Sequence, residues 1–453
     1  MTRTVMWFRR DLRLADNPAW AAATNNSDRV TCLFVIDPML WKRAHPRRRA
    51  MLAGHLAALD GGLRELGGRL RIEYGDPADV VPTVAGETRS ETVHVNADVT
   101  PFATSRDLKV GLRVPVAAEW GNYLHPIGSI TTSSGAPFRV FTPFHKVWAS
   151  RVVGPSPKSG PAAVADLPGA KVPGTGLPPM EPGERAAWER LESLEQRVDR
   201  YVDERDRPDL DGTSRLSTDL KFGTIAPARV VRVVGDASPG RIGFLRQLAW
   251  REFYAQLLLA EPSSVDSPLR PEFLHLIWEQ DPDGLEAWKA GRTGFPIVDA
   301  GMRQLVETGW IHNRVRLLTA SFLVKDLLTD WRLGERFFRH HLLDADTAQN
   351  IGNWQWVAGT GSDPAPYFRI FNPVAQSRKF DPDGTYIRRW VPELAGLDHK
   401  DIHAPWEAPP LTLADGGVEL GVNYPWPIVD HPIRREMALA AYGKARAAAV
   451  DSR

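Results

Sequence analysis

The chain has 453 residues, 43% hydrophobic and 25% charged, with a formal net charge of +1. That length leaves room for two domains, and the composition is that of an ordinary globular protein. No apolar run is long enough to span a bilayer. The single cysteine, Cys32, leaves no intrachain disulfide or cysteine-rich metal site, and a reducing cytoplasm is the expected location.

Charges lie within and just after the first apolar run, MTRTVMWFRRDLRL, which argues against a secretory signal. Over the first 130 residues, short apolar runs alternate with helical patterns. Thr4 to Phe8, Arg29 to Ile36, Leu70 to Gly75 and Thr92 to Asn96 read as buried parallel strands. Met51 to Gly68 has apolar residues at helical spacing. This alternation predicts a parallel α/β sheet of Rossmann-like kind. The first strand is followed by FRRDLRLADNPA, not by a glycine-rich dinucleotide fingerprint.

Residues 154–183 hold 8 Pro and 6 Gly in 30 positions, a density that predicts a linker without regular structure. The expected inter-domain stretch is 131–185. From 186 to 453 the pattern is helical almost throughout, as in GFLRQLAWREFYAQLLLAE and MALAAYGKARAAAV. The expected architecture is therefore an α/β N-terminal domain, a long linker and an all-α C-terminal domain. A polyanion would have to be met by local basic clusters, for which Lys42 to Arg49, His312 to Arg316 and Ser377 to Trp390 are candidates. Of the 16 tryptophans, 10 lie at or after Trp250, which suits either a large aromatic core or a site that uses indoles.

Three stretches could carry chemistry. In GTSRLSTDL, Thr213, Ser214 and Ser217 with Arg215 stand at an expected helix start, where they suit a phosphate or serve as a plain cap. In HLLDADTAQN, Asp344 and Asp346 could do acid–base work, accept hydrogen bonds or pair with Arg316; no further ligands for a metal stand close by. In WIHNRVRLL, Asn313 and Arg316 share a helix face, as they would in a site or in any half-buried helix.

Taken in order, WFRRDLRLADNPA, GTSRLS, QLAWREFY, GFPIVDAGMRQLVETGWIHNRVRLLTASFLVKDLLTDWR, NWQWVAGTG and PAPYFRIFNPVAQSRKFDPDGTYIRRWVPEL resemble the DNA photolyase/cryptochrome family. The likeness is densest over Tyr201 to Trp426, and the nearest type is the class I cyclobutane pyrimidine dimer photolyase. The resemblance implies FAD in the helical domain. It places Tyr201 and Thr213, Ser214, Arg215, Leu216 and Ser217 around the phosphates. It puts Asn313, Arg316, Asp344 and Asp346 around the isoalloxazine and ribose, with Gln247 and Arg251 also within reach. Asn350 would stand beside flavin N5.

Trp354, Trp331 and Trp278 occupy the positions of three stepping indoles that rereduce a photoexcited flavin. Trp250 and Trp356 would line a cavity for a flipped-out dimer, whose extrusion costs a few kcal/mol. Arg205, Arg251, Arg314, Arg369 and Gln376 would meet DNA phosphates or the cavity rim. The implied reaction is light-driven electron transfer from reduced FAD to the dimer, ring opening, and return of the electron. The implied protein is a monomer acting on DNA.

The sequence departs from the family pattern at Gln247, where Glu is usual, and at Leu317, where Met is common. Asn313 and Leu317 replace the two histidines that (6-4) photolyases need. Phe102 and Ala103 stand where folate-binding members carry an Asn-Glu pair, so 8-hydroxy-5-deazaflavin is the expected antenna, with a flavin or an empty site as rivals. A cryptochrome-like blue-light receptor is the alternative function. Gln247 and Leu317 favour it, whereas Asn350 and the cavity tryptophans favour repair.

Overall fold

The computed structural model describes residues 1–363 and 369–451, the side chains of Val450 and Asp451 excepted. Part of the PAPYFRIF motif, residues 364–368, therefore lies outside the described residues. The four expected strands are present as β1 (Arg3–Phe8), β2 (Arg29–Ile36), β3 (Leu70–Tyr74) and β4 (Thr92–Asn96). Two more join them, β5 (Val116–Glu119) and β6 (Ala163–Val164). All pairings are parallel, in the order β3-β2-β1-β4-β5, with β6 paired to the start of β2.

The continuous apolar run of β1 is explained by burial on both faces. Met6 and Phe8 join one core with Trp20, Phe34 and Leu56. Val5 and Trp7 point the other way, into a second core with Leu33, Val81 and Val93. Helices cover both faces. The one over Met6 and Phe8 runs Pro46–Glu65, five residues longer at its start than the apolar spacing indicated, because Pro46 fixes its first turn.

The expected inter-domain stretch, 131–185, holds helix Phe141–Ser150, and β6 lies within 154–183, where the composition predicts no regular structure. The proline-rich stretch is laid along β3: the Ala170 N–H donates to the Ile72 carbonyl, and the Tyr74 hydroxyl donates to that of Lys171. Gly169 permits this approach, since a Cβ there would lie 2.3 Å from the Ile72 nitrogen.

The chain divides into two compact units that are not collinear with it. The first comprises Met1–Asp199, Ser214–Pro262 and Leu343–Ala348 and contains the whole sheet. The second comprises Arg200–Thr213, Ser263–Leu342 and Gln349–Arg453 and, among its described residues, is built on helices. There the long apolar run beginning at Pro296 is broken into pieces. Helix Pro296–Thr308 stops at Gly309, whose φ of 74° suits a left-handed cap. Helix Asn313–Ser321 passes into one turn of π-helix, Phe322–Asp326, and helix Trp331–His341 follows.

Candidate functional site

In the second unit the stretch NIGNWQW lies on helix Thr347–Ala358. Asn350 and Trp354 are four residues apart and share a face, while Trp356 points about 200° away from Trp354. Burial agrees: Trp354 is 2% exposed, whereas Trp356 and Asn350 are half-buried. The Trp354 ring meets Phe338 edge-on at 5.0 Å and Trp288 at 6.3 Å. It also lies against helix Trp331–His341 at Gly334, where a Cβ would sit 2.2 Å from Trp354 Cη2. Trp331, buried, is one turn before that glycine. Trp278 is half-buried, edge-on to Tyr442 at 6.4 Å.

Asn350 Nδ2 donates to Glu335 twice, to the backbone carbonyl at 3.0 Å and to the carboxylate at 2.8 Å. Glu335 is buried and also pairs with Arg339 at 2.6 Å. Burial pushes its carboxyl above the ordinary range, opposed by Arg339 and by the Asn350 hydrogen bond. On helix Asn313–Ser321, Asn313 is exposed and Arg316 and Leu317 are half-buried, three and four residues on, so the three share an outward face. His312 is buried and caps that helix through Nδ1, which accepts from the Arg314 N–H. Arg314 pairs with Asp206 at 2.8 Å and lies over Phe380, and Arg205 lies over Tyr201. Arg369 is exposed, and Gln376 is half-buried on helix Pro373–Phe380.

In the first unit Asp346 pairs with Arg10, which follows β1 and also holds Asp98 at 3.1 Å. Burial works against the Arg10 charge, but the two carboxylates outweigh it and its pKa is raised. Burial, then Arg10, brings the nearby Lys221 amine down to about 7. Arg215 has a φ of 54°, a left-handed conformation uncommon for a non-glycine and often found at functional positions. Leu216, the residue before helix Ser217–Phe222, makes no side-chain cap bond, and Ser214 Oγ instead accepts from the Leu216 N–H. Ser214 and Ser217 are thus not a plain cap.

Gln247 and Trp250 are half-buried on helix Pro239–Ala260. Trp250 stacks on Phe141 at 3.7 Å and 6°. Arg251 is 9% exposed and donates to the Asn122 and Leu220 carbonyls. Its guanidinium is thus engaged with backbone carbonyls of the protein.

Residues 4–162 match the family model for DNA photolyase, and residues 244–444 match that for the FAD binding domain of DNA photolyase. The chain belongs to the DNA photolyase family. A relative from Agrobacterium fabrum named deoxyribodipyrimidine photo-lyase is 41% identical over 97% of each chain. A solved structure described as a bacterial class III photolyase from Agrobacterium tumefaciens superposes with a TM-score of 0.93, at 38% identity and 98% coverage of each chain. A Synechocystis cryptochrome superposes with a TM-score of 0.86, at 27% identity over 97% of this chain and 99% of its own. The photolyase fold expected from the motifs is present: parallel α/β first, helical after.

Beside the residues that the photolyase resemblance named, the structure brings forward others. Glu335 holds Asn350, Gly334 admits Trp354, Arg10 neutralises Asp346 and Phe141 backs Trp250. A Gly three residues after a buried Trp was the only local signal for any of them.

Proposed function

We propose that the protein is a light-dependent deoxyribodipyrimidine photo-lyase that binds FAD and splits cyclobutane pyrimidine dimers in DNA. The observation that carries this reading is the helix Thr347–Ala358, with buried Trp354 and half-buried Asn350 on one face and half-buried Trp356 on another, in a chain 41% identical to a photo-lyase over nearly its full length. Bound FAD, reduced and lit with blue or near-UV light, supplies the electron that opens the cyclobutane ring.

The donor set suits such a cofactor. The left-handed Arg215 and the Ser214 and Ser217 hydroxyls on either side of it suit a pyrophosphate, and Asn350 Oδ1 accepts no hydrogen bond among the described residues. Tyr201, Thr213, Ser214, Arg215, Leu216 and Ser217 would hold the phosphate end. Asn313, Arg316, Asp344 and Asp346 would hold the ring and ribose, and Asn350 would face flavin N5. Trp354, Trp331 and Trp278 would relay electrons that restore the reduced state.

Trp250 and Trp356 would receive the flipped dimer, each stacked base contributing about 1–3 kcal/mol. Arg205, Arg314, Arg369 and Gln376 would position the DNA without reading its sequence. A second chromophore, 8-hydroxy-5-deazaflavin in our reading, is supported by Phe102 and Ala103 where a folate pair would otherwise stand.

The test is repair itself. Photoreduced protein mixed with dimer-containing DNA and lit with blue light is expected to remove dimers and restore the pyrimidines. Tight flavin binding without repair would leave the blue-light receptor reading in its place. Gln247 adds a finer expectation. Its amide donates to the Gly243 carbonyl at 3.1 Å and, unlike a carboxyl, supplies no proton. Gln247→Glu is expected to raise the yield of dimer splitting per absorbed photon; an unchanged yield would mean that hydrogen bonding alone suffices.

A further inference from the structure

Arg205 and Arg314 are far apart in the chain, yet both turn to one oxygen, Asp206 Oδ1. Arg314 reaches it with Nη2 at 2.8 Å and Nε at 3.3 Å, and Arg205 Nε stands at 3.9 Å. The turn after helix Tyr201–Glu204 sets the carboxylate there: the Arg205 N–H donates to the Tyr201 carbonyl and the Arg207 N–H to that of Glu204, each at 2.9 Å. An aromatic ring braces each guanidinium from its face, Phe380 at 4.3 Å from Arg314 and Tyr201 at 5.6 Å from Arg205. Their N–H edges are thereby left for an anion. Arg207, the next cation along, has a carboxylate of its own in Asp209. The Asp206 side chain is 33% exposed, so the seat it fills is open to solvent.

An anion between two braced guanidiniums is also how a phosphodiester is held. We infer that Asp206 is an internal stand-in for a DNA phosphate: it occupies Arg205 and Arg314 in the free protein, and DNA must displace it to engage them. The inference rests on the reading that these two arginines meet DNA phosphates. The carboxylate keeps both guanidiniums aimed but subtracts from their pull, since the three side chains sum to one positive charge and not two. Phosphate contacts carry no sequence information, so the cost falls on undamaged and dimer-containing DNA alike. Its use to a lesion-seeking enzyme is release. Undamaged DNA, held by phosphate contacts alone, leaves sooner, whereas a dimer keeps whatever its flipped bases contribute.

The experiment is a binding titration by fluorescence anisotropy, with a labelled duplex that carries one thymine dimer or none, over a range of salt concentrations. Asp206→Asn keeps the shape and removes the charge. It is expected to bind both duplexes about threefold more tightly, the worth of a partly exposed ion pair. The fall of log affinity with log salt should steepen by up to about 0.9, as for one more phosphate neutralised. Asp206→Ser, smaller and equally uncharged, should do the same. In the Arg205→Gln/Arg314→Gln background Asp206→Asn should give no gain, since it acts only through those two side chains.

Weaker or unchanged binding in the Asp206 variants would overturn the inference and leave the carboxylate as a plain support for the arginines. An equal gain with and without the two arginines would overturn it too, because charge alone would then be the cause. If one Asp206 variant does not fold, the other decides on the same criteria. Should Arg205→Gln/Arg314→Gln by itself bind DNA as tightly as the wild type, the underlying reading of the two arginines fails, and the inference with it.

Discussion

Arg10→Met is expected to destabilise the protein by about 3–5 kcal/mol at pH 7, because it leaves two buried carboxylates without their cation. Arg10 pairs with Asp346 and Asp98 at once, and all three side chains are largely withdrawn from water. Burial alone would raise the Asp98 pKa, but Arg10 above all, with help from the Thr100 N–H, holds it below the usual carboxylate range. The sign of the pH dependence follows. A depressed carboxyl contributes stability above its unfolded pKa, near 4, and that contribution is lost as pH falls through the folded value. Without Arg10, only the Thr100 N–H, Arg9 and Arg106 oppose the burial of Asp98, so its pKa should rise and protonation at lower pH should relieve part of the penalty. Urea unfolding of the two proteins at pH 7 and pH 5 checks this. The gap should narrow at pH 5. A gap below about 1 kcal/mol at pH 7 would mean the ion cluster is no better than an exposed pair.

The strands were legible because their residues are buried on both faces, so Thr4 to Phe8 and Arg29 to Ile36 read as unbroken apolar runs. Strand β5 carries no such run, because its residues are half-exposed and two are alanine, and β6 carries none because two residues make no pattern. The helical run after Pro296 looked continuous because period alone does not register Gly309 as a stop or the extra residue of a π turn. At the site, residues within one stretch are legible in the sequence and their distant supports are not. Asn350, Trp354 and Trp356 lie within seven positions. Arg10 is 336 residues from Asp346, and no local pattern links them. Glu335 sits in WRLGERFFRHH, where charges on every side disguise the one carboxylate that points inward.

The two tryptophans of NIGNWQW should separate cleanly by variant. Trp354→Phe keeps an aromatic ring beside Phe338 and Trp288 and should cost only about 1–3 kcal/mol of stability. It should nonetheless abolish photoreduction of oxidised FAD, since phenylalanine is far harder to oxidise than indole. Repair by chemically prereduced protein should survive, because the relay restores the cofactor and does not touch the dimer. Trp278→Phe should behave in the same way.

Trp356→Ala should do the opposite. Its ring is half-buried and points away from Trp354, so photoreduction should persist. Binding of dimer-containing DNA should weaken by about 1–3 kcal/mol, the value of one stacked base. Gly334→Ala sharpens the test. The added methyl would meet the Trp354 ring at 2.2 Å and displace it while leaving its chemistry intact. Slowed photoreduction in that variant, with DNA affinity unchanged, would show that the placement of the indole, and not its presence alone, sets the rate. Lost DNA affinity in Trp354→Phe, or lost photoreduction in Trp356→Ala, would reverse the assignment of the two faces.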